Sequence, residues 1–128
     1  MLRRLGCFVL LSLATVSSAG CNRPPPDPRV GPPRGEIAVR VVNRSVSDVV
    51  IELVEEGDRS RLGTAYGGMT SVFFVSWQRV HGSGTMRLLA DPVGSSQVVV
   101  TDRLTVRPGS MVVWTIEPVL IQSSAAVY

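Results

Sequence analysis

Between Glu36 and Glu117 the apolar residues of this chain come in short alternating runs, each cut off by turn-forming residues. A period of two is the signature of strands with one buried face, and no segment here carries the 3.6-residue period of a helix. Ile37, Val39 and Val41 alternate with Ala38, Arg40 and Val42. Val49, Ile51 and Leu53 share one face of the next run, and Leu62 to Tyr66 follows after a charged tip around Gly57. Thr70 to Trp77 is the most strand-prone segment, with Val72, Phe73, Phe74, Val75 and Trp77 close together. Thr85 to Ala90 makes another strand. Gln97 to Thr101 and Leu104 to Arg107 read as one kinked strand or as two. Met111 to Glu117 closes the series, with Val112, Trp114 and Ile116 inward.

The punctuation agrees with the pattern. Asn43 to Asp48 is rich in residues whose side chains cap their own turns, and Asp91-Pro92-Val93-Gly94 has the form of a β-turn. Pro108-Gly109 suits the central pair of a type II turn, where proline presets φ and glycine accepts a positive value. Seven to eight short strands with regular turns predict an all-β fold, a single small β-sandwich of antiparallel strands over residues 36–118. A domain of about 80 residues is small but can hold one core without disulfides. This stretch loosely resembles the transthyretin-like or immunoglobulin-like sandwiches of exported bacterial proteins. The Cys–Trp–Cys spacing of a true immunoglobulin domain is absent, since neither cysteine lies in it.

What precedes the domain has a different character. Arg3 and Arg4 form a basic start, Leu5 to Val16 a short apolar core, and Ser18-Ala19-Gly20 a small-residue triplet before Cys21. This arrangement resembles the lipobox of bacterial lipoproteins. The resemblance implies that residues 1–20 are a signal peptide and that Cys21 becomes the lipidated N-terminus, so that the partner of this end is a membrane. Asn22 follows the cysteine where an aspartate would imply inner-membrane retention, so by the same resemblance the outer membrane is favoured, on its periplasmic or surface face. From Asn22 to Gly35 there are six prolines. Such a segment favours extended polyproline II and reads as a spacer able to hold the domain about 40 Å from its anchor. Residues 119–128 form a C-terminal tail whose Val119, Leu120 and Ile121 can pack on the sandwich or add an edge strand.

Charge narrows the partners further. The formal charge is +3, and removal of Arg3 and Arg4 with the leader leaves eleven basic against ten acidic side chains, a net +1. The remaining arginines are scattered singly, which argues against nucleic acid.

Few residues could carry chemistry. His81 is the only histidine. A triad of Ser83 or Ser76 with His81 and Asp91 can be written down, but no serine sits in a nucleophile-elbow pattern. One histidine and a lipidated cysteine cannot make a zinc site. The acidic group Glu52, Glu55, Glu56 and Asp58 lacks calcium-loop spacing and has Arg59 and Arg61 beside it. The sequence therefore predicts no enzyme, no metal and no cofactor.

The apolar segment Val72 to Trp77 is the best hint of a surface. Apolar residues fall on both of its faces, so one set, read here as Phe73, Val75 and Trp77, needs cover from a loop, the tail or a partner. The expected role is a non-enzymatic interaction or structural module of the cell envelope, docking to another envelope protein. The alternative is a binding sandwich for a carbohydrate or small ligand, with Trp77 or Trp114 as a stacking platform.

Overall fold

A computed structural model describes residues 31–80 and 83–128. Nine strands form among them: β1 (Glu36–Asn43), β2 (Val49–Glu55), β3 (Asp58–Ala65), β4 (Thr70–Ser76), β5 (Thr85–Pro92), β6 (Val99–Val100), β7 (Leu104–Thr105), β8 (Met111–Ile116) and β9 (Ser124–Val127). Two single 3-10 turns, Trp77–Val80 and Leu120–Gln122, are the helical segments among the described residues. One sheet has the order β4-β1-β8-β9. The other runs β3-β2-β5-β6, with β7 also paired to β5.

The alternation read from the sequence decides which side chains lie between the sheets. Ile37, Val39 and Val41 of β1 and Val112, Trp114 and Ile116 of β8 meet Val49, Ile51 and Leu53 of β2 and Met86, Leu88 and Ala90 of β5 in one apolar core. Each fully buried aliphatic side chain contributes about 1.5–3 kcal/mol relative to exposure. Trp114 is the largest of the fully buried residues and sits at the centre of this stabilisation.

Two features go beyond the expected seven to eight antiparallel strands. The tail supplies β9, an edge strand antiparallel to β8, with Ala125 and Val127 packed on the core. And β1 runs parallel to β8, Val39 opposite Val112 and Val41 opposite Trp114. Parallel neighbours need a crossover connection, and here everything from β2 to β7 serves as that crossover. No local signal in the chain encodes such a pairing.

Two turns are built as their residues suggest, while the one after β5 closes over Pro92–Ser95, one residue later than Asp91–Gly94, because β5 runs on through Pro92. Asn43, buried at the end of β1, donates through Nδ2 to the carbonyls of Ser47 (2.8 Å) and Ala65 (3.0 Å). Its Oδ1 accepts from the Ser45 amide (3.0 Å) and hydroxyl (2.7 Å). One side chain thus holds the β1–β2 turn and ties it to the end of β3. Gly109 has φ +88°, the value that the third position of a type II turn requires and that a side chain would resist. Beyond β6, the Thr101 hydroxyl accepts from the Leu88 amide at 3.0 Å, taking the place of a ladder bond where the strand breaks off before β7.

Candidate interaction face

Register fixes which residues share the outer side of the β4-β1-β8-β9 sheet. In β1 the odd residues from Ile37 to Val41 enter the core, so Glu36, Ala38, Arg40 and Val42 look outward. Phe74 pairs with Ala38 and Val72 with Arg40 on one side. Met111 pairs with Ala38 and Val113 with Arg40 on the other. Phe74, Val72, Val42, Met111 and Val113 are all half-buried, and Ala38 is only 1% exposed although it stands outside the core cluster. The result is a continuous apolar patch across three strands.

Charge on this face is sparse and of one pattern. Arg44 and Glu117 close one end with an ion pair at 2.9 Å. Arg40 in the middle and Glu36 at the other end make no ion pair among the described residues. The Nε atom of Arg40 is buried and has no hydrogen-bond partner among them. A buried, unsatisfied donor costs about 1–3 kcal/mol, so Arg40 is a liability to the isolated domain.

The outer side of the other sheet is unlike it. Glu52 pairs with Arg61 and Leu89, Val54 with Arg59 and Arg87, and Val50 with Thr64 and Asp91. Val50, Val54 and a buried Leu89 lie on this side too, but Glu52, Asp91, Arg59, Arg61 and Arg87 are interleaved with them, so charge of both signs breaks up the apolar area.

The structure reverses the face expected for β4. Phe73 pairs with Val39 and Val75 with Ile37, so both turn into the sandwich. Val75 is fully buried, and Phe73 packs against the core. Trp77 leaves the strand, opens the 3-10 turn and also packs on the core. Phe73, Val75 and Trp77 are therefore core or core-flanking residues, and Val72 and Phe74 are the outward pair. With apolar residues on both sides, the segment has no phase of its own. Only the cross-strand register with β1 supplies one.

Gly63 marks how tightly Phe73 is held. A bulge between Ile51 and Glu52 shifts the β2–β3 register, and a Cβ placed on Gly63 would stand 2.5 Å from Phe73 Cε1.

The other candidates among the described residues do not come together. Trp114 is buried and offers no stacking platform. The Ser83 hydroxyl is engaged in its own turn, donating to the Val80 carbonyl at 3.0 Å. Asp91 lies near the far end of β5, on the outer side of the five-stranded sheet. The strand from Thr85 to Asp91 spans roughly 20 Å at ~3.3 Å per residue, too far for a Ser83–Asp91 relay. Among the described residues no three acidic, histidine or cysteine side chains converge as a metal site would require. An open cleft of about 620 Å³ lies beside the β2–β3 tip. Arg79, Arg87 and Arg103 line it together with Glu55, Glu56 and Asp58, equal in number and joined by no ion pair among the described residues, and Glu55 Oε1 is buried there without a hydrogen-bond partner among them. His81 and Cys21 lie outside the described residues.

No protein-family model matches the chain, and no curated protein does. Among the described residues no helix is long and apolar enough to cross a membrane.

Proposed function

We propose that this protein is a lipoprotein of the bacterial cell envelope, anchored in the outer membrane through Cys21, whose sandwich is a non-enzymatic interaction module. The observation that carries the reading is the outer side of the β4-β1-β8-β9 sheet. It combines half-buried Val72, Phe74, Met111 and Val113 with an Arg40 that lacks a partner among the described residues. Apolar patches with a polar element are what protein contact surfaces present.

The leader-like residues 1–20, the proline-rich residues 21–35 and the +1 balance of the rest support an anchored module on a spacer rather than a nucleic-acid binder. The strand order supports the transthyretin-like alternative over the immunoglobulin-like one. Here β1 lies between β4 and β8, whereas the first strand of an immunoglobulin sandwich lies beside the second.

Metabolic labelling with an alkyne palmitate tests the anchor. Label on the wild-type chain and none on Cys21→Ser is expected, and equal labelling of both would refute lipidation at Cys21. In-cell crosslinking and recovery of the anchored protein tests the module, and no specific crosslinked product from the wild type would count against it.

A further inference from the structure

The two charges on the apolar face that make no ion pair among the described residues are of opposite sign and sit on the same strand. Glu36 and Arg40 both look outward from β1, at equal spacing on either side of Ala38. At ~3.3 Å per residue each lies roughly 7 Å along the strand from Ala38. A single partner strand crossing this face antiparallel to β1, centred on Ala38, would need an acid opposite Arg40 and a base opposite Glu36. The chain itself carries that pattern.

We propose that the occupant of this face is a second copy of the same chain, packed sheet against sheet about a two-fold axis that passes beside Ala38 and runs across the strands. This rests on the reading of the face as an interaction surface and names its partner. Rotation about that axis keeps each strand opposite its own copy and reverses its direction. Arg40 then faces the partner's Glu36, and Glu36 the partner's Arg40, so one contact is made twice, as an isologous interface demands.

Other features of the face suit the arrangement. Ala38, the smallest side chain on the outer side of β1, stands on the axis, and being only 1% exposed it leaves the contact to the half-buried residues on either side. Phe74 and Met111, its neighbours in register, meet their own counterparts on either side. Arg44 and Glu117 at the end of the face already neutralise one another and set no unpaired charge against the partner. An axis along the strands would instead place Arg40 against Arg40, so charge selects between the two ways of stacking the sheets.

Two faces of this size bury on the order of 1,000 Å² in total, near the lower limit for a specific interface. The pairing is therefore weak between free molecules. A shared membrane anchor raises the effective concentration of the two copies, and no further contact is needed.

The test is sedimentation equilibrium of the full chain in mild detergent over a wide concentration range. The variants are Arg40→Glu, Glu36→Arg and the double swap, with a thermal melt of each to separate loss of pairing from loss of fold. Wild type is expected to self-associate reversibly to a dimer. Each single reversal, which sets two like-charged contacts against each other, is expected to weaken it at least about tenfold, and the double swap to restore it. Arg40→Gln, which removes the charge and keeps a polar end, is expected to fall between wild type and Arg40→Glu. A wild type that stays monomeric throughout, or folded single variants that dimerise as well as wild type, would overturn the proposal. A monomeric wild type that still crosslinks through this face to a different protein would sink the second-copy assignment and leave the interaction-module reading standing.

Discussion

The two sheets of this sandwich are alike inside and unlike outside. Both contribute alternating Val, Ile and Leu to a single core. Outward, the five-stranded sheet sets Glu52 against Arg61 and mixes Arg59, Arg87 and Asp91 with its valines. The four-stranded sheet shows Val72, Phe74, Ala38, Met111 and Val113 around one arginine. A sheet face that only meets water is cheapest when it carries charge, as the first does. The second leaves apolar area half-covered and a guanidinium nitrogen without a partner among the described residues. Among the described residues that difference between faces, alongside the unpartnered Glu55 Oε1 at the β2–β3 tip, is where the molecule departs from what folding alone requires.

The comparison depends first on the shared core. Trp114→Ala is expected to cost about 3–5 kcal/mol in urea unfolding, because the side chain is fully buried between the sheets. It would weaken both faces together, since Trp114 belongs to the core that joins the two sheets. A loss below about 1 kcal/mol would mean that the sheets do not pack as described.

Asn43→Ala is expected to cost about 3 kcal/mol, from the buried Ala65 carbonyl and the turn groups it leaves unpaired. This tie joins the two sheets at one end, and its loss should leave the chemistry of both outer faces unchanged. Gly63→Ala is expected to cost about 2 kcal/mol by pressing on the Phe73 ring. That variant sharpens the comparison directly. An unchanged midpoint would mean Phe73 points outward, and the composition of the apolar face would have to be redrawn.

Smaller effects distinguish the faces by sign. Arg40→Met is expected to stabilise the monomeric domain by about 1 kcal/mol, since it replaces an unsatisfied buried donor by an apolar side chain. Glu52→Ala, on the other face, is expected to destabilise by less than about 0.5 kcal/mol, the scale of a surface pair. Chemical unfolding of both variants under the same conditions reads the contrast. If Arg40→Met is the more destabilising of the two, Arg40 serves the fold and the apolar face loses its anomaly.

Much of this architecture was legible in the chain because period-two alternation does two jobs at once: it marks a strand and says which side is buried. For β1, β2 and β8 it did both, down to Trp114. In β4 it failed at the second, since Val72 to Val75 offer apolar residues to either side and only pairing with Ile37 and Val39 sets the phase. The side of β4 left outside the core is therefore expected at Phe73, Val75 and Trp77 but lies at Val72 and Phe74. The strand β9 was weakly marked because Ser124-Ala-Ala-Val127 has little strand propensity of its own and is held by its bonds to β8. The parallel β1–β8 pairing was invisible, because it joins segments at opposite ends of the domain. Arg40 looked like an ordinary polar residue of an alternating strand. Its significance comes from the apolar neighbours that β4 and β8 bring beside it.

The most direct test of the difference between the faces is site-specific photo-crosslinking in cells. A photoreactive residue replaces Val113 beside Arg40 in one variant and Glu52 on the opposite face in another. Discrete crosslinked products from position 113 and none from position 52 are the expected result. Equal products from both positions, or none from 113 in a folded and correctly exported variant, would contradict the claim that the outer side of the four-stranded sheet is an interaction face.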